Sequence, residues 1–125
     1  MHGGKALVKI FERAGVDYIF SSPGTEWPPV WEALAEAQER GDSLIGFLNC
    51  RHEALAVAMA SSYTKVTGKP QAVLLHATAG PLNAAMHLRA AYQERVPMVI
   101  YCGGNRLVIK PNKSFANKKN SLYDV

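Results

Sequence analysis

Three short stretches of this 125-residue chain hold side chains whose types and spacing could do chemistry together. The first is Leu75-His76-Ala77-Thr78-Ala79-Gly80-Pro81-Leu82-Asn83-Ala84. Imidazole is the side chain whose charge changes near neutrality, so His76 could move protons; the plainer alternative is a structural His at a strand end. The small residues behind it would let a ligand approach the backbone, and a helix starting there would offer free N–H groups. Here the plainer alternative is a tight connection. The second stretch is Arg51-His52-Glu53. A carboxylate near a helix start is favoured by the macrodipole by ~0.3–1 kcal/mol, which alone could explain Glu53. The functional alternative is a carboxylate that hydrogen-bonds a ring nitrogen of a heteroaromatic ligand. The third is the turn Pro23-Gly24-Thr25, where the Thr25 hydroxyl could donate to a substrate carboxylate. Trp27 and Trp31 beside it are either core or pocket wall, with core ahead.

Positioning such groups requires a scaffold, and the chain alternates helix and strand. Leu7, Ile10, Phe11 and Ala14 recur at helical spacing over residues 4–14. Tyr18-Ile19-Phe20 predicts a strand, and Pro28 or Pro29 to about Glu39 a helix, since proline suits a first helical turn. Residues 44–48 predict a second strand, with Asn49 able to cap a helix from about Arg51 to Thr67. That helix carries Leu55, Met59, Tyr63 and Val66 on one side, and Ala54, Ala58 and Ser61 small enough for close packing. Residues 72–75, 81–92 and 96–101 predict a strand, a helix and a strand. The expected fold is α/β: three layers, a parallel sheet with helices on both faces, flavodoxin-like in appearance. Ligands in such sheets bind beyond the carboxyl ends of the strands. Thr25, Glu53 and His76 all lie at such ends and could converge on one rim.

Composition narrows the function classes. The net charge of +4 hints at nucleic acid until it is located. Arg106, Lys110, Lys113, Lys118 and Lys119 face only Asp124 in the last twenty residues, so residues 1–105 are neutral. A neutral body has no basic face for a phosphate backbone, and nucleic-acid binding is not expected. No apolar run reaches the ~18 residues a membrane helix needs, and no signal-peptide pattern follows Met1, so the expected location is the cytoplasm. Cys50 and Cys102 lack metal-ligand spacing and read as free thiols. The phosphate-loop pattern and Gly-x-Gly-x-x-Gly are both absent. Residues 1–105 read as one domain and 106–125 as a basic, poorly ordered tail, with Leu107-Val108-Ile109 a possible further strand.

Four elements in order carry a family resemblance: Gly15 to Phe20 leading to Pro23-Gly24; Arg51-His52-Glu53 with Tyr63; Thr67-Gly68-Lys69-Pro70; and Gly80 to Asn83 followed by Ala91-Tyr92 and Val96-Pro97. Together they resemble the N-terminal, pyrimidine-binding domain of thiamine-diphosphate-dependent enzymes, the family of acetolactate synthase and benzoylformate decarboxylase. The resemblance implies that Glu53 is the carboxylate that hydrogen-bonds the cofactor aminopyrimidine and activates it. It implies cofactor contacts at Pro23, Gly24, Gly80 and Asn83. Leu75 to Gly80 looks more like the benzoylformate decarboxylase branch, which makes His76 a catalytic proton-transfer residue and puts Thr25, His76 and Thr78 at the substrate. Glu26-Trp27-Pro28-Pro29 departs from that branch. The Gly-Asp-Gly…Asn-Asn type signature that holds diphosphate and Mg²⁺ in this family is absent from these residues. The resemblance therefore implies a thiamine diphosphate shared with a diphosphate-binding domain or subunit, Mg²⁺ held only through that partner, a homo- or hetero-oligomer, and no activity without it. The alternatives are an inactive truncated remnant, or a non-catalytic interaction domain on the same fold.

Overall fold

A computed structural model describes residues 3–43 and 45–103. The order is α1 (Gly3–Arg13), β1 (Tyr18–Ser22), α2 (Pro28–Glu39), β2 (Gly46–Asn49), α3 (Glu53–Thr67), β3 (Gln71–Leu75), α4 (Ala79–Gln93) and β4 (Met98–Cys102). All the helices and strands expected before residue 102 are present, with ends shifted by a residue or two. The strands form one parallel sheet in the order β2-β1-β3-β4. Its carboxyl ends therefore share one rim. The expected tail, its boundary at residue 105 and the possible strand at residues 107–109 lie outside the described residues.

Alternation along the strands splits the interior in two. Ile19, Ala72 and Leu74 face α1 and α2 and meet Val8, Phe11 and Leu34. Phe20, Val73 and Leu75 face the other way and meet Ala56, Val57, Ala60 and Ala84 of α3 and α4. Every residue of β3 is buried, as a central parallel strand covered on both faces requires. Trp27 is buried in the first core, whereas Trp31 is about one-third exposed and packs edge-on against Phe47. The large residues along one side of α3 do not form its core face. Leu55, Met59 and Val66 are exposed, with only Tyr63 of that side packed against the core. The inward face is Ala56, Val57, Ala60, Ser61 and Thr64. Of the residues expected to pack closely, Ser61 is buried, and Ala54 and Ala58 are only partly so.

Helix ends follow local chemistry with one correction. Pro28 and Pro29 open α2, and Gly68 closes α3 in the left-handed conformation, its N–H donating to Thr64 O at 2.8 Å. The cap of α3 is His52 and not Asn49: His52 Nδ1 accepts from the Ala54 N–H at 3.1 Å. Asn49 is still in the ladder opposite Ser21, and the Cys50 N–H donates to Ser21 O at 2.7 Å. The chain cannot turn into a helix until that pairing ends. No helix among the described residues is long and apolar enough to cross a membrane.

Candidate functional site

The rim is organised by β1. This strand lies between β2 and β3, so its exit loop is flanked by the junction that carries Glu53 and the one that carries His76. Glu53 is the first residue of α3. Its Oε2 accepts from Asn83 Nδ2, in the first turns of α4, at 3.2 Å. Burial pushes this carboxyl up, but its own N–H, the Asn83 amide, and the nearby His52 and Ser22 together hold it below the ordinary glutamate value. Three elements thus present one ionised carboxylate at the mouth of the sheet.

His76 is the residue directly after β3. Its Nδ1 lies 2.7 Å from Glu26 Oε2 and 2.9 Å from Glu26 Oε1. The same Oε1 accepts from the Ala77 N–H at 3.0 Å. Burial again pushes the Glu26 carboxyl up, and the bonds from His76 and from backbone N–H groups more than reverse it, leaving it below its ordinary value. Two glycines make room. A Cβ on Gly24 would overlap the His76 ring and the Glu26 carboxylate, and one on Gly103 would overlap the Glu26 side chain.

The structure brings some of the expected site residues together. Gly24 meets His76, and Glu53 meets Asn83. Pro23, Thr25 and Thr78 are exposed on the same rim, and Thr78 makes no side-chain bond to the start of α4. Gly80 is buried, and a Cβ there would come within 3.0 Å of Leu75 Cβ, so the absence of a side chain lets α4 seat closely beneath the rim. Sequence reasoning missed Glu26. It is fifty residues from its partner, and the one signal for it was an acidic residue next to Thr25 in a rim loop.

Residues 1–120 match the family model for the thiamine pyrophosphate enzyme, N-terminal TPP binding domain. Acetolactate synthase large subunit of Haemophilus influenzae is 33% identical over 103 residues, covering 82% of this chain and 17% of that protein. The mitochondrial acetolactate synthase catalytic subunit of Aspergillus candidus is 33% identical over 101 residues, covering 81% of this chain and 14% of that one. Among solved structures, benzoylformate decarboxylase from Polynucleobacter necessarius superposes with a TM-score of 0.64 at 26% identity, over 82% of this chain and 18% of that chain. The chain thus spans less than a fifth of the length of these relatives.

Proposed function

The chain belongs to the thiamine pyrophosphate enzymes through their N-terminal TPP-binding domain, and on that premise we propose that it is the pyrimidine-binding half of a 2-oxo acid decarboxylase or carboligase. The observation that carries this reading is the shared rim: Glu53 held by Asn83 on one side of the β1 loop, and His76 meeting Gly24 on the other. The donor set fits the cofactor. An ionised, partly open carboxylate at a helix start suits a pyrimidine ring nitrogen, and Gly24 keeps the neighbouring loop thin. When bound, thiamine diphosphate supplies the electron sink for carbanion chemistry at a 2-oxo carbon.

The chain's own residues divide the remaining work. Glu53 binds the aminopyrimidine and holds or releases a proton there, and Asn83 orients its carboxylate. Pro23, Gly24 and Gly80 shape the backbone against which the ring lies. Thr25 donates its hydroxyl to the substrate carboxylate, His76 moves protons at the reacting end, and Thr78 lines the same edge. Diphosphate and Mg²⁺ fall to a diphosphate-binding domain outside these 125 residues, in the same polypeptide or a separate one. The outer face of α3 and α4 supports such a partner. Leu55, Met59 and Val66 of α3 and Leu82, Met86 and Tyr92 of α4 are all exposed. A groove of about 620 Å³ lined by Tyr18, Phe20, Leu48, Met59, Tyr63 and Val66 runs along α3. Helices apolar on both sides are buried in the assembled protein.

The test is CO₂ release from pyruvate and benzoylformate by the complete enzyme that carries this domain, with thiamine diphosphate and Mg²⁺. Glu53→Gln keeps a hydrogen-bonding group but cannot take up a proton, and should lower kcat by about 10²- to 10⁴-fold. An unchanged rate overturns the assignment of Glu53. The 125-residue chain alone should release no CO₂; turnover by it would overturn the need for a partner.

A further inference from the structure

His76 is half exposed, with 46% of its side chain accessible, yet one edge of its ring is fully committed. We infer that Glu26 is a positioning residue that fixes His76 in the Nδ1–H form, leaving Nε2 as the atom that takes or gives the proton at the rim. This rests on the reading of His76 as a proton-transfer residue.

The hydrogen-bond inventory forces the tautomer. An ionised carboxylate only accepts. With both Glu26 oxygens within 2.9 Å of Nδ1, that nitrogen must carry a hydrogen whether the ring is neutral or charged. In the neutral ring the lone pair is then on Nε2. No other hydrogen bond to this ring occurs among the described residues, and its remaining exposed edge is free to face a ligand. The same logic, an imidazole oriented by a carboxylate on its far nitrogen, recurs wherever a His must act through one defined atom.

The seat of Glu26 is built on several sides. Its side chain is only 19% exposed. Gly24 and Gly103 form two walls with no room for a Cβ, and the Gly103 N–H donates to Leu75 O at 3.0 Å, tying the second wall to the end of β3. The Ala77 N–H forms the third side. Ala77 has φ +40°, a left-handed conformation that costs a non-glycine residue about 1–3 kcal/mol and persists only where surrounding contacts hold it. Glu26 supplies such a contact while gripping the ring of the preceding residue. One carboxylate thus sets both the turn and the imidazole.

The test reads the tautomer directly, in the 125-residue chain labelled with ¹⁵N, by long-range ¹H–¹⁵N spectra of the His rings above pH 7.5. His76→Gln assigns the signal among the four histidines. In the native chain Nδ1 of His76 should appear protonated and Nε2 unprotonated. Glu26→Gln offers one oxygen and one NH₂ group. With the oxygen kept by the Ala77 N–H, the NH₂ faces Nδ1 and the tautomer should reverse, exchanging the two ¹⁵N signals. Glu26→Ala should lose the preference without reversing it. A native His76 protonated at Nε2 overturns the proposal before any variant is made. So does a native tautomer that survives in folded Glu26→Gln and Glu26→Ala. Because no turnover is involved, these outcomes are separate from the fate of the reading beneath: undiminished kcat in His76→Ala of the complete enzyme would overturn the catalytic role of His76 alone.

Discussion

Helices α1 and α2 turn Val8, Phe11, Val30 and Leu34 onto the sheet and set charged groups outward, with Lys5 2.6 Å from Glu36 and Arg40 2.7 Å from Asp42. Helices α3 and α4 do the reverse. They lay Ala56, Val57, Ala60 and Ala84 on the sheet and carry their large apolar residues outside, Val66 at 87% and Met86 at 78% exposure. Both layers cover the same strands, so the sheet does not explain the difference. What differs is the far side of each layer. Among the described residues, the exposed large apolar residues of the first layer are only Ile10 and Trp31, beside these charged pairs. The second, which also contributes Glu53 and Asn83 to the rim, exposes Leu55, Met59, Val66, Leu82, Met86 and Tyr92. The larger apolar side chains of α3 and α4 lie outside, and alanines bring the helices close to the strands.

The largest effect expected from this contrast lies in the first layer. Phe11 is fully buried, and Phe11→Ala should lower unfolding free energy by about 3–5 kcal/mol in urea titration. The second layer should instead be sensitive to enlargement. Ala60→Leu overfills the α3–sheet contact and should cost about 1–3 kcal/mol by the same measurement. If Ala60→Leu were neutral, the tight small-residue seat would be wrong. The outer faces should separate the layers next. Met59→Lys with Met86→Lys should change unfolding free energy by less than about 0.5 kcal/mol, as surface replacements do. It should nevertheless weaken self-association of the isolated chain about tenfold, ~1.4 kcal/mol, by sedimentation. Equal self-association in both proteins would break the comparison.

The smallest effect is the one that joins the layers. Glu26 precedes α2 and grips His76 just before α4. Its folded pKa is lowered, so its contribution to stability is complete above the unfolded-chain value of ~4.3 and is lost as pH falls through the lower folded value. Glu26→Gln should therefore be less stable than the native chain near pH 7, with the gap closing below pH ~4. A gap that stays constant down to pH 3 would show that the charge of Glu26 plays no part.

Much of this was legible in the residues. The period of Leu7, Ile10 and Phe11, the prolines at the start of α2 and the run at Ala72 to Leu75 place the elements, and parallel order places Thr25, Glu53 and His76 at one edge. Three things were not legible. The orientation of α3 was hidden because its larger apolar residues are on the outside, the reverse of the usual helical pattern. Glu26 was hidden because its pairing with His76 is made across the β1 loop and depends on Gly24 and Gly103, which a linear pattern does not connect. The cap at His52 was missed for a third reason: ladder pairing of Asn49 with Ser21 overrode a good local capping residue.

The position of β3 has a further consequence. It is flanked by β1 and β4, covered on both faces and buried throughout, so its amides should be among the slowest to exchange with solvent hydrogen. Glu53 follows β2, which pairs on one side only among the described residues and is only partly buried. The two halves of the rim therefore hang from elements of different opening frequency. The half that carries His76 is fixed to the most protected strand, and the half that carries Glu53 follows the less protected β2.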